Sequence, residues 1–394
     1  MGVPSVTVLG IVAEYDPLHN GHLYHMKEAK ALVKPDLTYV VLSPCVKQRG
    51  ELPLLSPLDR ARLALEAGAD AVFALPVLWA VRDAEHYAMG AVSLLAGLGV
   101  THLAFGAETD DLPLLNKAAE LLESPVPALG SALKAGLSSG IGFPLALSRA
   151  AGGILQGAEA LLSRPNNILA VSYLRAILKG NLKVEPVVIP RRGSYHAAGI
   201  DPAGPSASAL RDALLRGNYA EAYAAMPDAS AGLLRSRFLS RCVPDERILD
   251  DLLISRLRSM APEEYANLPD LSEGIENALR NAAAAARSRN EILAAVTCSR
   301  YPASRVSRLC AYALLRVTRK DTASVPLPES ALLLGLRKAP EMTARWKELS
   351  VPVVSSFTEW KKTAHPADLL AWRLWAQCCR LPDTLPFSEK TVSL

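Results

Sequence analysis

Two histidines near the start of the chain have the type and spacing needed for chemistry on a phosphate. They are His19 and His22 of the string HNGH. On a helix that begins near Gly21, residues three apart share one side, so both imidazoles can donate hydrogen bonds to one phosphate group. Fixed donors lower the barrier of a transfer at phosphorus because negative charge builds on the oxygens, and no covalent intermediate with the protein is needed.

The elements on either side of these histidines predict where the phosphate lies. Residues 6–13 form an apolar, β-branched run typical of a buried parallel strand, and residues 21–33 have a helical pattern. Open α/β sheets bind ligands at the carboxyl ends of their strands, and a helix N-terminus attracts anions through its dipole and free N–H groups. We expect Asn20 to cap this helix and Gly21 to let a phosphate approach the backbone.

Strand and helix patterns alternate over roughly the first 110 residues, which predicts a parallel sheet with helices on both faces. Further strands are predicted at residues 37–42, 71–75, 102–105 and 184–189. Helices are predicted at residues 57–67, with Ser56 as N-cap, and at residues 84–96 and 206–215. Residues 111–180 have a mostly helical composition.

From about residue 230 the strand patterns nearly vanish, except for a short one at 351–355. Helices are predicted at residues 272–287, 290–296 and 304–316. Arginines are concentrated in this part of the chain, at Arg280, Arg287, Arg289, Arg300, Arg305, Arg308, Arg316 and Arg319. We therefore predict two domains, an α/β domain over residues 1–230 and a mostly helical, arginine-rich domain over residues 231–394.

Composition limits the class of protein. The formal charge of the 394 residues is +4, which neither demonstrates nor excludes a nucleic-acid partner. The six cysteines form no CxxC pair and have no histidine at zinc-like spacing, so we expect free thiols in a reducing cytosol and no structural metal. Because no stretch reaches the ~18 uninterrupted apolar residues of a membrane helix, and no signal peptide is evident, we expect a cytoplasmic protein without membrane contact.

The HxGH string after the first strand resembles the motif with which the nucleotidylyltransferase superfamily binds ATP and stabilises the transferred α-phosphate. The longer string AEYDPLHNGHLYH resembles more narrowly the bacterial tRNA(Met) cytidine acetate ligases, whose usual pattern is EYNPFHNGHLYH. Other matches follow in the expected order and extend the resemblance over most of the chain. They are QRGE (48–51), FGAE (105–108), RPNNIL (164–169), RRGSYH (191–196), SASALR (206–211) and RYPASRVSRL (300–309).

This resemblance implies a Rossmann-like nucleotidylyltransferase domain followed by a mostly α-helical domain that holds tRNA. It implies an enzyme that activates acetate with ATP, accompanied by Mg²⁺, to acetyl-adenylate. The acetyl group then passes to the exocyclic amine of the wobble cytidine in elongator tRNA(Met).

The resemblance also carries roles onto residues of this chain, with His19 and His22 as the catalytic donors. The expected nucleotide contacts are Gly10, Ile11, Val12, Ala13, Glu14, Tyr15, Asp16, Pro17, His19, Asn20, Gly21, His22, Leu23, Gly106, Asn166, Arg191, Ser208 and Arg211. In this set Ser208 and Arg211 resemble the superfamily's second phosphate motif, and Asn166 has a simple helix cap as its alternative. The expected tRNA contacts are Lys47, Arg49, Arg300, Arg305 and Arg308, of which the first two are alternatively ligands of the acetate carboxylate.

Departures from the family pattern leave two other functions open. Asp16 stands where Asn is usual, and Pro44, Pro57 and Ala74 replace Gly, Lys and an acid. An aspartate beside a triphosphate weakens nucleotide binding unless a metal ion or a protonated histidine offsets its charge. The alternatives are a small-molecule adenylyltransferase that makes a nucleotide cofactor, and a non-enzymatic tRNA-binding protein with a decayed ATP site.

Overall fold

The computed structural model describes residues 6–191, 200, 204–272, 274–323, 325–337, 340–384 and 390–394. Within these residues eight strands form one sheet. The strands are β1 (Val8–Ala13), β2 (Leu37–Leu42), β3 (Ala71–Ala74), β4 (His102–Ala107), β5 (Glu185–Pro190), β6 (Ala331–Leu336), β7 (Val353–Val354) and β8 (Val392–Ser393). Their order is β5-β4-β1-β2-β3-β6-β7, with β8 also paired to β6.

Helices make up most of the remaining described structure. Those that surround the parallel strands are α1 (Asn20–Val33), α2 (Pro57–Glu66), α3 (Val77–Ala80), α4 (Ala84–Gly97), α5 (Leu112–Glu123), α6 (Pro127–Ser138), α7 (Phe143–Gly152), α8 (Ala158–Leu162), α9 (Pro165–Lys179) and α10 (Ala207–Leu215). Those that follow are α11 (Tyr219–Ala224), α12 (Asp228–Leu239), α13 (Glu246–Ser259), α14 (Pro262–Ala266), α15 (Ile275–Ala285), α16 (Arg289–Val296), α17 (Ala303–Leu315), α18 (Arg319–Ala323), α19 (Pro340–Arg345), α20 (Phe357–Thr363) and α21 (Pro366–Cys378), with a 3₁₀ turn at Trp346–Glu348.

The first five strands form the predicted parallel sheet. β1 pairs in parallel with β2 and β4, β2 with β3, and β4 with β5. The predicted bounds of these strands differ from the observed ones by at most two residues, because each strand is a short apolar run. Strands β1 to β4 are largely buried, whereas β5, at the edge of the sheet, is mostly half-buried. All five strands end at the same edge of the sheet, so the loops after them converge there. We call this edge the active edge.

Strand β6 was missed by the sequence analysis, which found almost no strand pattern after residue 230. It has the sequence ALLLGL and pairs antiparallel with β3. A six-residue apolar run fits a buried helix as well as a strand. It forms a strand here because it pairs with the otherwise unpaired edge of β3, which the sequence pattern does not show. The sheet thus contains strands from both sides of residue 230, and one hydrophobic cluster extends from Leu9 to Trp372. The two-domain division stays a prediction.

Two further differences concern element ends. The helix predicted at residues 272–287 begins at Ile275, and the strand predicted at 351–355 contains only Val353 and Val354. Ser56 caps α2 and Pro57 occupies its first turn, as predicted. None of the helices in the described part of the chain is long and apolar enough to cross a membrane.

A buried carboxyl group joins α21 to the start of α3. Asp368 is 5% exposed, and its Oδ1 accepts the N–H of Val77 at 2.7 Å, at the start of α3. Burial raises the pKa of Asp368 to about 6, although hydrogen bonds from the backbones of Val77 and His365 oppose the rise. The folded chain therefore binds this proton more tightly than the unfolded chain does.

We predict that Asp368→Asn stabilises the protein at neutral pH. The contribution of Asp368 to stability is fully present below the unfolded pKa near 4 and is lost as pH rises through about 6. Asparagine keeps an oxygen that accepts the Val77 N–H but carries no charge. Urea unfolding should show a gain of about 1–3 kcal/mol at pH 7 and none at pH 4. Asp110→Asn, at an exposed position, is the control, and an equal gain at both pH values would contradict the prediction.

Candidate functional site

The residue that caps α1 is His19, which corrects the expectation for Asn20. The His19 ring accepts the N–H of Gly21 through Nδ1 at 3.1 Å, and the Nδ1 of His22 accepts the N–H of His19 at 3.3 Å. Asn20 is already the first residue of the helix, and its N–H donates to the carbonyl of Ala225. The expected free N–H groups of Asn20 and Gly21 are therefore occupied, and the dipole and the two imidazoles are left to attract a phosphate.

Both imidazoles are neutral hydrogen-bond donors. Because each Nδ1 accepts a backbone N–H, each neutral ring carries its proton on Nε2. Burial, together with the positive charge of Arg191, lowers the pKa of His19 to about 3. Burial and the neighbouring His19 hold the pKa of His22 well below its usual range. The rings stack with centroids 3.7 Å apart, so the two Nε2–H groups form one rigid pair.

The residues before His19 form the end of β1 and the loop after it. Gly10 and Ile11 lie in the packed interior: a Cβ on Gly10 would stand 2.8 Å from Cγ1 of Val100. Val12 and Ala13, at the end of the strand, are half-buried. Tyr15 has a positive φ of 47°, and its ring makes a T-shaped contact with the ring of His22, with the centroids 4.9 Å apart.

The remaining members of the string differ in exposure. Pro17 is buried, whereas Gly21 and Leu23 are half-buried. A Cβ on Gly21 would stand 3.8 Å from the carbonyl oxygen of Pro205, just before α10. The starts of α1 and α10 are therefore neighbours on the active edge, and neither helix has an acidic residue in its first turn.

Arg60 of α2 organises this edge, and the sequence analysis missed it. Its side chain is fully buried, and it donates to the carbonyls of Glu14 at 2.7 Å, Ser43 at 2.9 Å and Leu55 at 3.3 Å. It also donates to the carbonyl of Pro44, one of the departures from the family pattern. A lone arginine in an amphipathic helix gives no signal in the sequence that it turns inward.

Asp16 is neutralised by two cations. Its Oδ2 lies 2.9 Å from Nζ of Lys47 and 3.0 Å from Nη1 of Arg211, and its Oδ1 accepts the N–H of Leu54 at 2.6 Å. Although burial opposes ionisation, Lys47, Arg211 and Arg60 hold the pKa of Asp16 down at about 2. The negative charge expected to need a metal ion or a protonated histidine is therefore balanced by these side chains.

Lys47 and Arg211 each have a second acidic partner. Nζ of Lys47 lies 2.8 Å from Glu51, and Nη2 of Arg211 lies 3.3 Å from Glu246 of α13. Arg211 lies in the second turn of α10, and its role in the second phosphate motif stays a prediction. Ser208 is exposed in the first turn of α10, and the capping residue is Ser206, which accepts the N–H of Ala209.

The ends of β4 and β5 form the other side of the site. A Cβ on Gly106 would stand 3.6 Å from Cγ of Arg191 and 3.9 Å from Cδ2 of His25. Arg191 is exposed, and its Nη1 makes a long hydrogen bond of 3.4 Å to Oδ1 of Asn166. Burial lowers the pKa of His25 to about 4, and its buried Nε2 has no hydrogen-bond partner. The rest of the RRGSYH match, residues 192–196, lies outside the described residues.

The QRGE match joins the active edge to the helices of the second half of the chain. Gln48 links two loops: its N–H donates to the carboxylate of Glu14, and its side-chain amide donates to the carbonyl of Arg82. Gly50 has a φ of +77°, and a Cβ there would stand 2.7 Å from the carbonyl oxygen of Ser307 in α17. This close approach requires glycine.

The predicted tRNA-binding residues do not share one exposed face. Arg49 and Arg300 are exposed, whereas Arg305 is half-buried and Arg308 is only 8% exposed. Nε of Arg305 donates to the carbonyl of Asp270, and Nε of Arg308 lies 3.5 Å from the carboxylate of the same residue. Helical spacing alone could not show that the face bearing Arg308 packs inward.

We predict that the rings of His19 and His22 stay neutral, with no proton on Nδ1, throughout the physiological pH range. Nitrogen-15 NMR of histidine-labelled protein should show both rings as Nε2–H tautomers from pH 5 to 8, because burial keeps their pKa values below that range. His19→Asn and His22→Asn assign the signals. The urea-unfolded chain is the control, in which histidines titrate near 6.5. A His19 or His22 signal that titrates between pH 6 and 7 would refute the neutral pair.

Comparisons with known proteins agree with this geometry. The family model described as HIGH Nucleotidyl Transferase matches residues 6–383. A tRNA(Met) cytidine acetate ligase of Kosmotoga olearia is 32% identical over 375 residues, which cover 92% of this chain and 88% of the relative. The protein of the same name from Bacillus velezensis is 33% identical over 397 residues, covering 98% and 95%.

Solved structures give the same result. Thermotoga maritima TmcAL in an apo crystal form has a TM-score of 0.91 at 27% identity, over 98% of this chain and 99% of that one. The same protein bound with alpha-thio ATP has a TM-score of 0.88. The resemblance first indicated by the HNGH string is thus confirmed and extends over nearly the whole chain. The chain belongs to the HIGH nucleotidyl transferase family and, within it, to the tRNA(Met) cytidine acetate ligases.

Proposed function

We propose that this protein is an ATP-dependent ligase that transfers acetate to the exocyclic amine of the wobble cytidine of elongator tRNA(Met), in the cytoplasm. The observation that carries the proposal is the rigid pair of neutral imidazole donors at the start of α1. It is supported by relatives named tRNA(Met) cytidine acetate ligase and by a similar structure that binds an ATP analogue.

The first step forms acetyl-adenylate. A carboxylate oxygen of acetate attacks the α-phosphorus of ATP, the bond to the bridging oxygen of the β-phosphate breaks, and pyrophosphate leaves. Negative charge grows on the α-phosphate oxygens and on the departing group, where the Nε2–H groups of His19 and His22 donate. Neutral donors suit this step because their hydrogen bonds strengthen as charge develops and, unlike imidazolium, they do not lose the donated proton at neutral pH.

The second step transfers the acetyl group. The cytidine amine attacks the carbonyl carbon of acetyl-adenylate, the amine loses a proton, and AMP leaves with the electron pair of the broken C–O bond. Arg191 follows β5, and Arg211 of α10 forms an ion pair with Asp16 in the loop after β1. Their guanidinium groups suit the phosphates of the nucleotide in both steps.

A Mg²⁺ ion fits this site as a partner of the triphosphate. The described part of the chain contains no group of three or more acidic, histidine or cysteine side chains that could hold a metal. The two carboxylates of the string, Glu14 and Asp16, are already bonded to N–H groups and cations. Phosphate oxygens and water, rather than side chains of the described residues, would hold the ion, which would neutralise charge on the triphosphate.

The structure narrows the candidates for contact with tRNA. Arg49 follows β2 and Arg300 precedes α17, and both are exposed, so both can reach phosphates of the tRNA backbone. Arg308 is buried against Asp270 and serves the packing of α17. Lys47 is buried between two carboxylates, which leaves its role towards acetate or tRNA the least supported of the five.

We predict that His22→Asn abolishes most activity while His22→Gln retains more of it. Asparagine keeps an acceptor near the Nδ1 position for the His19 N–H but removes the Nε2 donor, whereas glutamine keeps a donor near the Nε2 position. Protein, ATP, Mg²⁺, radiolabelled acetate and total bacterial tRNA are incubated, and label on tRNA is measured. Asparagine should lower the rate about 100-fold or more. His102→Asn, at the opposite end of β4, is the control.

The same assay separates the alternatives. Label that requires ATP and His22 supports the proposal. ATP turnover with a small phosphate ester and no need for tRNA would instead identify a small-molecule adenylyltransferase. Binding of tRNA without any binding of ATP would identify a decayed nucleotide site.

A further inference from the structure

A carboxylate outside the expected nucleotide contacts organises the β4–β5 side of the site. Glu108 directly follows β4, and its Oε1 accepts the N–H of Asn166 at 3.2 Å and the side-chain Nδ2 of the same residue at 2.6 Å. Its Oε2 accepts the N–H of Asn167 at 2.8 Å. In return, the N–H of Glu108 donates to Oδ1 of Asn167 at 2.8 Å. Four hydrogen bonds thus join the end of β4 to the first turn of α9.

Glu108 replaces the missing cap of α9. The N-cap residue, Arg164, makes no side-chain cap, and Pro165 at the first helical position has no N–H. The next two N–H groups, on Asn166 and Asn167, both end on Glu108. The start of α9 is therefore fully occupied by a carboxylate of the chain, and it is not available to a phosphate.

The same contact fixes the orientation of the Asn166 amide. Because Nδ2 donates to Glu108, Oδ1 must face the other way, where it accepts the hydrogen bond from Nη1 of Arg191. Arg191 forms no ion pair with any residue that the structure describes. The carboxylate of Glu108 thus binds the N–H groups at the start of α9, and the neutral side-chain amide of Asn166 binds the guanidinium of Arg191. This relay orients Arg191 without neutralising it.

We propose that Glu108 is a positioning residue of the nucleotide site, which acts through Asn166 to aim the charged guanidinium of Arg191 at the phosphates of ATP. The inference rests on the proposed function only in taking ATP as the ligand. A carboxylate placed directly against Arg191 would hold it as firmly but would compete with a phosphate for it. The interposed amide avoids that competition.

A double-mutant cycle on ATP binding tests the proposal, without acetate or tRNA. Glutamine at 108 keeps the size of the side chain but puts an N–H₂ group where one of the two carboxylate oxygens stood, so it cannot accept the N–H groups of both Asn166 and Asn167. We expect Glu108→Gln and Arg191→Ala each to raise the Kd for ATP roughly tenfold, the usual cost of one charge-assisted hydrogen bond. We expect the double variant to bind no more weakly than Arg191→Ala alone, because Glu108 acts through Arg191.

Controls separate positioning from general destabilisation. Asp111, three residues further on, caps α5 through the N–H of Leu114 and does not contact Asn166. Asp111→Ala removes this cap, so it should lower the melting temperature without changing the Kd. If Glu108→Gln does not fold, Asn166→Ala takes its place in the cycle with Arg191→Ala. If the two substitutions raise the Kd independently, so that the double variant shows the product of the two single effects, the role of Glu108 is wrong but the proposed function stands. If the wild-type chain binds no ATP, the proposed function is wrong as well.

Discussion

One buried guanidinium holds the active edge together. Arg60 reaches from α2 to the main-chain carbonyls of the loops that follow β1 and β2, and its burial leaves no water to replace them. Separating either loop from α2 strands a buried charge, which costs several kcal/mol. The loop after β1 carries the HNGH string, so the position of the histidine pair depends on a residue about forty positions away. Rigid loops matter here because fixed donors stabilise a transition state only when they need not reorganise during the reaction.

The buried charge of Asp16 is stabilised by oppositely charged side chains that contact it. Three carboxylates, on Asp16, Glu51 and Glu246, contact three cations, on Lys47, Arg211 and Arg289, so the charges of the cluster balance. The family pattern that the string resembles has an uncharged asparagine at the position of Asp16. Here the negative charge of Asp16 is paired with the buried ammonium group of Lys47. The cluster also ties α10 and the loop after β2 to the string, so the residues of the second phosphate motif are held near the first.

Periodicity predicted the parallel half of the sheet because each strand there is a short apolar run between helical patterns. The same reasoning failed for β6, whose partner β3 lies more than 250 residues earlier in the chain. The histidine pair was visible in the sequence because its members are local neighbours. The contacts of Arg60 and the ion pairs of Asp16 could not be predicted from the sequence, because contacts between distant segments follow no sequence period. The capping role of His19 was assigned to Asn20 because asparagine is the commoner cap, whereas the ring nitrogen of His19 reaches the same N–H groups one residue earlier.

The position of the anion site follows from where carboxylates are missing. Most helices that begin near the active edge have an acidic side chain at or near their first turn, which uses up the positive end of the helix dipole. These side chains are Asp59 of α2, Asp368 against α3, Asp83 of α4, Asp111 of α5 and Glu108 against α9. In α1 and α10 the first turn has none, and these two helix starts are neighbours. A polyphosphate is therefore drawn to the gap between them, where the two imidazole donors lie. Because a carboxylate already lies at the five other helix starts named here, the absence of one at the starts of α1 and α10 agrees with the proposed phosphate site.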